Sequence, residues 1–420
     1  MSAGYRCAVC GTRVAIETPW PWRCPRATAT DRHHVLRIEP TPEAPTDFHL
    51  NPFVADRQRM AWYRFALAHG YDDASAVSLV EEVDEAVRDV EGSGFAATMV
   101  GPAAGLSDAL GIDIWVKDET GNVAGSHKAR HLMSILLHLL AAERAGVAPA
   151  GALRPRLAIA SCGNAALAAA TLALAADWPL DVYVPADADP VVLGRIERLG
   201  AAVVPCPRQA GGPPGDPCMA RFRRAVDSGA IPFTVQGPEN ALCLDGGRTV
   251  GWELASALNV HGADRVFVQV GGGALATGVG DGLREAGVAV TLHAVQAEGC
   301  APLAAAWDCA QRVGVAAAPL HWSDCMRPWR TTPTSMATGI LDDETYDWLG
   351  VVDAMAHSNG SPVVASEADV AAAFDLAREA TTIPVDATGA AGLAGVRAFR
   401  PHLRDDERVV VLFTGRSQAR

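Results

Sequence analysis

The stretch KDETGNVAGSHKARHL, from Lys117 to Leu132, contains both lysines of this 420-residue chain. Every other position with a long basic side chain is arginine. Arginine keeps its charge at any working pH, whereas a desolvated lysine can lose its proton and act as an amine nucleophile. The alternative is that the composition has drifted toward arginine and that these two lysines remain by chance. The stretch therefore directs attention to amine chemistry at Lys117 or Lys128.

Composition restricts the class of protein and of partner. The chain has 35 lysines and arginines against 48 aspartates and glutamates, a formal net charge of −13, which argues against nucleic acid or an anionic membrane as partner. No apolar run is long enough to span a membrane, and the first residues lack the apolar core of a signal peptide. We therefore expect a soluble cytoplasmic protein of two or three domains.

The cysteines fall into two groups. Cys7 and Cys10 form a CxxC, Cys24 follows in WRCP, and His33 and His34 come next. Three thiolates and one imidazole satisfy tetrahedral zinc, so the sequence predicts a structural zinc on the three cysteines and His34 or His33. A degenerate knuckle that has lost its metal is the alternative. The other cysteines are expected to be reduced core residues: Cys162, Cys206, Cys218, Cys243, Cys300, Cys309 and Cys325.

Short apolar strands alternate with helical patterns from Leu157 onward, beginning with LAIAS and closing with RVVVLF before Thr414. This alternation predicts an α/β fold in which parallel sheets carry helices on both faces. Upstream, apolar spacing predicts helices over 57–70 and 73–92. The Pro-rich segment 39–53 reads as a connector, and QAGGPPGDP at 209–217 as a loop.

Three predicted strand ends carry residues suited to a ligand. In VGGGALATG, Gly271 to Leu275 lie between a strand and a helix, where converging N–H groups suit a phosphate; a tight turn is the alternative. Asn164 in SCGNAAL and Thr414 in VLFTG also follow strands, on the side where ligands bind in open parallel sheets. A helix-capping asparagine and a turn threonine are their alternatives.

Together these groups suit pyridoxal 5′-phosphate (PLP). A lysine amine can bond to its aldehyde carbon, glycine N–H groups can hold its phosphate, an amide can contact its ring oxygen, and a hydroxyl can contact its ring nitrogen. The ring then acts as an electron sink for carbanions. A nucleotide-binding Rossmann enzyme is a further alternative, but the GxGxxG spacing is missing.

The ordered motifs KDETGNVAGSHKAR, SCGNAALAAA, VGGGALATG and VLFTG resemble those of the fold type II, or tryptophan synthase β-like, PLP enzymes over about residues 90–420. The nearest resemblance is to threonine synthases and serine/threonine dehydratases. It implies that Lys128 is the Schiff-base lysine and proton-moving base, that Asn164 contacts the ring hydroxyl, and that Thr414 faces the pyridine nitrogen. The phosphate loop it implies consists of Gly271, Gly272, Gly273, Ala274 and Leu275, and the expected substrate contacts are Ser126, Ser161, Cys162 and Gly163.

The chain departs from the threonine synthase pattern directly after Lys128. Those enzymes have a KDR-like run there, whereas this chain has Ala129 and Arg130. Because of this difference, the residues after Lys128 are less strongly expected to contact a phosphate group of the substrate.

The resemblance implies two open, mainly parallel sheets with helices on both faces, preceded by a small Cys-bearing knuckle. The expected divisions are a zinc knuckle at 1–37, helices and the first part of the large domain at 38–150, a small α/β domain at 151–245, and the rest of the large domain at 246–420. A homodimer is expected. The implied activity is a PLP-dependent lyase performing β- or γ-elimination or replacement on a hydroxy- or phosphohydroxy-amino acid. A β-replacement synthase and a PLP-binding protein without turnover are the alternatives.

Overall fold

A computed structural model describes residues 4–41, 44, 46–208 and 216–417. Most of the predicted loop at 209–217, and residues 42, 43 and 45 of the connector, lie outside the described residues. The strands are β1 Tyr5–Cys7, β2 Arg13–Val14, β3 Leu36–Ile38, β4 Val100–Pro102, β5 Asp113–Asp118, β6 Leu157–Ala160, β7 Leu180–Val184, β8 Ala202–Pro205, β9 Ile231–Pro232, β10 Arg265–Gln269, β11 Thr291–Ala297, β12 Pro362–Ala365 and β13 Arg408–Phe413.

The α-helices are α1 Pro52–Ala55, α2 Ala61–Ala68, α3 Asp73–Glu91, α4 Ala104–Leu110, α5 Lys128–Arg144, α6 Asn164–Ala175, α7 Pro190–Arg198, α8 Pro217–Asp227, α9 Leu242–His261, α10 Ala274–Glu285, α11 Pro302–Val313, α12 Trp322–Cys325, α13 Trp348–His357, α14 Glu367–Ala380 and α15 Ala391–Phe399. Short 3-10 helices lie at Arg57–Arg59, Val123–Gly125, Gly151–Leu153, Ala318–His321, Thr338–Ile340 and Arg400–His402.

The strands form three sheets. The largest has the order β12-β11-β10-β13-β5-β4 and is parallel except for β4, which pairs antiparallel to β5 at the edge. A four-stranded parallel sheet has the order β8-β7-β6-β9, and all its strands lie within residues 151–245. The N-terminal strands form a small antiparallel sheet. The predicted α/β class with two mainly parallel sheets is confirmed.

Helix boundaries follow local capping. As predicted, α3 ends at Gly92, which adopts a left-handed conformation with φ +82°, a region that glycine enters without steric cost. The helix predicted over 57–70 is instead broken at Met60, which is extended. The break has a physical cause: the Asp245 carboxylate on α9 accepts a hydrogen bond from the Ala61 N–H at 2.6 Å, so a new helix starts there.

One prediction about cysteines is wrong. Cys309 on α11 and Cys325 on α12 are joined by a disulfide, with their Cα atoms 5.1 Å apart. The two helices bring residues 16 positions apart into bonding distance, a proximity that the spacing alone did not indicate. The same prediction fails at Cys162, which is exposed in the turn before α6. It is confirmed for the remaining four, which are buried and carry no disulfide: Cys206, Cys218, Cys243 and Cys300.

Parallel strands direct their carboxyl ends toward the same region of the molecule. The chain leaves β5, β6, β10 and β13 into the segments that carry Lys128, Asn164, the glycine loop and Thr414, respectively. Helix α5 is buried along almost its entire length. The surrounding core therefore fixes the backbone position of its first residue, Lys128. Within the described residues, no helix is long and apolar enough to cross a membrane.

Candidate active site

A cavity of about 700 Å³ lies where these strand ends meet. It brings together residues that are far apart in the sequence but were predicted to act on one ligand. The predicted residues that line it are Lys128, Ser161, Cys162, Gly163, Asn164, Gly271, Gly272, Gly273, Ala274, Leu275 and Thr414.

Lys128 presents its amine to this cavity. Burial lowers the pKa of Lys128, and the nearby Asp342 carboxylate partly opposes that effect. Its place at the N-terminus of α5 adds a positive potential that also disfavours protonation. The neutral, nucleophilic form of the Lys128 amine is therefore more populated than it would be in an exposed lysine.

Lys117 has a different environment. Its amine is fully buried, donates to the Thr98 carbonyl at 2.9 Å, and forms salt bridges with Glu253 and Glu119. At a strand end, Lys117 is expected to pair with a neighbouring carboxylate, Asp118 or Glu119; the structure confirms Glu119, at 3.7 Å, and adds Glu253. Lys117 is not among the residues that line the cavity, so the geometry favours Lys128 as the reactive amine.

Arg130 completes a buried ion cluster, defined here as Lys117, Glu119, Arg130 and Glu253. The guanidinium of Arg130 donates to Glu253 at 2.6 Å and to Glu119 at 2.8 Å, and its side chain is fully buried. The cluster joins β5, α5 and α9 behind the cavity. Arg130 is therefore committed to the core and does not reach toward a substrate.

The glycine loop leads from β10 into the N-terminus of α10. Gly273 has φ +95°, a conformation that favours glycine. A Cβ atom at Gly271 would lie 2.5 Å from an Asp342 carboxylate oxygen and 2.9 Å from the Ile340 Cα. Glycine here lets the loop pack closely against Asp342 and Ile340 at a helix N-terminus, a place whose N–H groups suit an anion.

Asp342 is a site residue that sequence reasoning missed. Its carboxylate accepts a hydrogen bond from the Gly272 N–H, and burial raises its pKa to about 6, against the lowering effect of Lys128. It lies in the segment TSMATGILDDETYDW, whose spacing carries no signal for a ligand. A carboxylate of the chain itself thus binds one of the N–H groups predicted to hold a phosphate.

Asn164 is the first residue of α6, and Gly163 occupies the capping position. The interpretation of Asn164 as a helix cap is therefore wrong. Its side chain hydrogen-bonds to the Asp386 carboxylate, and both residues line the cavity. The amide is thus held at the cavity wall by an acceptor that lies more than two hundred residues further along the chain.

In the run VDATGAAGLAG, Asp386 and Thr388 have the sequence pattern of a helix N-cap, but neither of them caps a helix in the structure. Helix α15 starts only at Ala391. Asp386 accepts from the Gly389 N–H at 2.6 Å, while the Thr388 hydroxyl accepts from the Gly339 N–H at 3.0 Å. The two side chains stabilise loops of the cavity wall instead of a helix end.

Thr414 directly follows β13, and its side chain is buried. Its hydroxyl oxygen accepts a hydrogen bond from the Gln269 amide nitrogen at 2.7 Å. Its carbonyl accepts from the backbone N–H of His127 and lies 3.1 Å from His127 Nδ1. Burial holds the pKa of His127 well below its usual range, so its imidazole is neutral. This neutral side chain links the end of β13 to the start of α5, the helix that carries Lys128.

The predicted substrate contacts divide into two groups. Ser161, Cys162 and Gly163 form the turn between β6 and α6 and line the cavity. Ser126 is fully buried, does not line it, and its hydroxyl lies 3.4 Å from the Lys128 backbone nitrogen. The predicted substrate contact through Ser126 is therefore not supported, because the side chain is enclosed behind the helix start.

The rest of the cavity wall is acidic. Among the described residues, Lys128 is the one lysine or arginine that lines it. Five aspartates share the wall: Asp187, Asp189, Asp216, Asp342 and Asp386.

Comparison with known proteins agrees with this geometry. The sequence profile of the family described as "Pyridoxal-phosphate dependent enzyme" matches residues 93–415. The chain belongs to this family. It is 28% identical to a threonine synthase from Methanosarcina acetivorans over 324 residues, which are 74% of this chain and 72% of that protein.

Solved structures of the family share the fold. A processed threonine deaminase isoform 2 from Solanum lycopersicum matches with a TM-score of 0.61 at 17% identity, over 91% of this chain and 96% of that one. Maize serine racemase matches with a TM-score of 0.62 at 17% identity, over 80% and 92% of the two chains. The predicted resemblance to fold type II PLP enzymes of the threonine synthase and dehydratase group is confirmed.

The residues of the cavity fit the cofactor that the family name implies. PLP needs an amine for its aldehyde, N–H donors for its phosphate and polar partners for its ring. Lys128 supplies the amine, and the backbone of Gly271, Gly272 and Gly273 lines the cavity at the N-terminus of α10. The buried Thr414 hydroxyl and the Asn164 amide line the same cavity. Each of these groups of PLP therefore has a partner among the cavity residues that the sequence analysis assigned to it.

A second cluster of chemically active side chains lies at the N-terminus. One donor atom from each of Cys7, Cys10, Cys24 and His34 lies within 4.8 Å of the others. The Cys7 sulfur is 3.4 Å from His34 Nδ1, and the sulfurs of Cys10 and Cys24 are 3.6 Å apart. His33 instead stacks on Trp322 with ring centroids 5.3 Å apart. Of the two candidate histidines, the geometry selects His34.

Proposed function

We propose that this chain is a PLP-dependent lyase that removes the β-hydroxyl of a small hydroxy-amino acid, giving a 2-oxo acid and ammonia. The observation that carries the proposal is the convergence of Lys128, the Ser161–Asn164 turn, the glycine loop and Thr414 on one cavity. Lys128 would hold PLP as a Schiff base, the glycine loop its phosphate, Asn164 its ring hydroxyl and Thr414 its ring nitrogen. When bound, PLP supplies the electron sink that stabilises negative charge at the substrate Cα.

The start of α6 is the best site for the substrate carboxylate. Ser161, Cys162 and Gly163 lead into this 12-residue helix, and the unpaired N–H groups of a helix N-terminus attract an anion. A carboxylate bound there lies on the same cavity as the Lys128 amine. The substrate Cα would then lie in the cavity that Lys128 also lines.

Lys128 also serves as the base. The lowered pKa of its amine favours the unprotonated form that takes the Cα proton on Nζ. The ion cluster fixes α5 to β5 and α9, so the backbone from which the amine extends is held in place.

The charge of the cavity bears on the leaving group. Five wall aspartates face one lysine, and Arg130 is bound to Glu119 and Glu253. A phosphorylated substrate would bring further negative charge among like charges, which costs binding energy. The wall therefore favours a neutral hydroxyl over a phosphate. It also supports a second candidate, elimination of ammonia from a 2,3-diamino acid, because the aspartates would attract the additional ammonium group.

A substrate panel tests the proposal. Purified PLP-loaded protein should be supplied with L-serine, L-threonine, O-phospho-L-homoserine and L-2,3-diaminopropionate, with and without a thiol. We expect a 2-oxo acid and ammonia from serine or threonine, with no phosphate release from phosphohomoserine. Threonine and phosphate from phosphohomoserine would contradict it, as would a substituted product formed only with the thiol. The absence of turnover in a protein that holds PLP would support a binding role.

Asp342 should oppose binding of the cofactor phosphate. Its carboxylate already accepts from the Gly272 N–H, and its pKa of about 6 leaves it ionised at neutral pH. We expect Asp342→Asn to tighten binding of 4′-deoxypyridoxine 5′-phosphate by about tenfold at pH 8, since a like charge beside the phosphate is removed. This ligand has no aldehyde, so its affinity reports the phosphate site and not attachment to Lys128.

The pH dependence of that effect has a definite sign. The Asp342 carboxyl is neutral below about pH 6, so parent and variant should bind alike at pH 5 and diverge as the pH rises. Asp343→Asn, which changes the next carboxylate in the chain, is the matched control and should have a smaller effect. Equal affinity of parent and Asp342→Asn at pH 8 would show that the phosphate does not use this loop.

We also propose that the N-terminal cluster holds a structural zinc ion. Three thiolates and one imidazole fill a tetrahedron and leave no position for a substrate. The segment packs against the catalytic body: the Pro19 carbonyl lies 2.8 Å from His138 Nε2 on α5, and Arg37 pairs with Asp281 on α10. The metal would therefore stabilise the packing of the N-terminal segment against the helices behind the cavity.

Metal analysis with variants tests the zinc site. We expect about one zinc per chain in the parent, and Cys24→Ser should lose the metal and lower the melting temperature. Cys206→Ser, a buried cysteine outside the cluster, is the control and should keep the metal. A parent without stoichiometric zinc, or a Cys24→Ser variant with full zinc, would refute the site.

A further inference from the structure

The side-chain amide of Gln269 has its orientation fixed by the backbone. Gln269 ends β10 and is only 5% exposed. Its Nε2 lies 2.6 Å from the Gly389 carbonyl oxygen and 3.2 Å from those of Thr388 and Leu412. Carbonyl oxygens can only accept hydrogen bonds, so the atom that faces all three must be the NH₂ group and not the amide oxygen.

This orientation determines the direction of a hydrogen bond to Thr414. The same Nε2 lies 2.7 Å from the Thr414 hydroxyl oxygen. An amide NH₂ has no acceptor capacity, so Gln269 donates and the hydroxyl oxygen accepts. The proton of Thr414 must then point away from Gln269, and no recorded hydrogen bond gives it an acceptor within the described part of the chain. Because Thr414 lines the cavity, its proton is available to a ligand there.

We propose that Gln269 is a positioning residue that fixes the Thr414 hydroxyl as a hydrogen-bond donor to the ring nitrogen of PLP. The inference rests on the proposed function, since it requires that nitrogen to face Thr414. A ring nitrogen that accepts a hydrogen bond through its lone pair is stabilised in its unprotonated form. An unprotonated ring withdraws fewer electrons from the substrate Cα, which favours prompt loss of the β-substituent. Gln269 thus acts on the reaction type through Thr414.

Gln269→Glu reverses the hydrogen bond while keeping the shape of the side chain. Surrounded by three carbonyl oxygens in a buried site, the new carboxyl is held protonated, because burial and nearby negative dipoles disfavour its ionised form. The oxygen that replaces Nε2 has one proton, which it donates to the Gly389 carbonyl. It can then only accept from Thr414, so the threonine turns its lone pairs toward the cavity.

The test uses PLP labelled with ¹⁵N at the ring nitrogen and bound to the full-length protein. We expect the parent to show the resonance of an unprotonated nitrogen that accepts a hydrogen bond, and Gln269→Glu to show the resonance of a nitrogen that has lost this donor. We also expect the kcat for elimination to fall by about tenfold in this variant. Gln269→Met, with similar length and no polar group, is the packing control and should keep the unprotonated resonance, because Thr414 remains free to donate.

The outcomes separate this inference from the proposed function. A parent that does not hold PLP on Lys128 would refute the proposed function. A parent that holds PLP, with the same ¹⁵N resonance in Gln269→Glu, would refute the role of Gln269 alone. Should Gln269→Glu not fold, the parent provides the test: a ring nitrogen that is protonated, or that accepts no hydrogen bond, in the PLP-bound parent would overturn the inference.

Discussion

Replacement of Lys128 by alanine is expected to lower kcat by at least about a thousandfold and to abolish covalent attachment of PLP. Lys128 is the one amine that lines the cavity in the described part of the chain, and its pKa is lowered by burial. Its removal takes away both the group that holds the cofactor and the base that receives the Cα proton. Turnover and the visible absorption of the purified variant measure the two losses separately.

Lys128→Arg is the matched control for charge. Arginine keeps the positive charge beside Asp342 but cannot act as an amine nucleophile. We expect this variant to fold, to bind PLP only reversibly, and to be as inactive as Lys128→Ala. Turnover at the parental rate in either variant would mean that another residue moves the proton, and the assignment of the active lysine would fail.

Glu253→Ala is expected to destabilise the fold by about 3–5 kcal/mol, because it leaves two buried cations, Lys117 and Arg130, with Glu119 as their one shared carboxylate in the cluster. Although burial alone would raise it, these two cations lower the pKa of Glu253 to about 2. The ion cluster also joins α5 to its neighbours, so we expect a loss of activity that parallels the loss of structure. Chemical denaturation of parent and variant at pH 7 measures the difference in free energy of unfolding.

An exposed pair gives the matched comparison. Arg156 and Asp181 form a salt bridge in which the arginine side chain is 48% exposed, and Asp181→Ala should cost no more than about 1 kcal/mol. The effect of Glu253 depends on pH with a known sign. Since its pKa falls from 4.5 to about 2 on folding, its contribution is fully present above pH 4.5 and is lost as the pH falls toward 2. An equal cost for the two substitutions at pH 7 would refute the structural role of the cluster.

The sequence predicted those parts of the site that follow directly from a strand. Lys128, Asn164, the glycine loop and Thr414 each come after a recognisable apolar run or within a distinctive motif. Because parallel strands present their carboxyl ends to a common region, these positions could be expected to converge. The class of fold followed from the same alternation of strands and helices.

The residues that sequence reasoning missed act through contacts that no local pattern specifies. Asp342 lies in a loop and reaches the glycine segment about seventy residues earlier in the chain. Gln269 sits inside an ordinary strand, and its importance arises only from the carbonyls of residues 388, 389 and 412 that surround it. Asp386 resembled a helix cap until its contact with Asn164 placed it at the cavity. Such tertiary partners depend on packing and not on periodicity.

The most direct test of the central claim is to locate the lysine that carries the cofactor. PLP-loaded protein should be reduced with borohydride, which makes the bond to the lysine permanent, then digested and analysed by mass spectrometry. With two lysines in the chain, the result is unambiguous. We predict that the pyridoxyl group is found on Lys128 alone. A pyridoxyl group on Lys117, or on neither lysine in protein that retains PLP, would contradict the account.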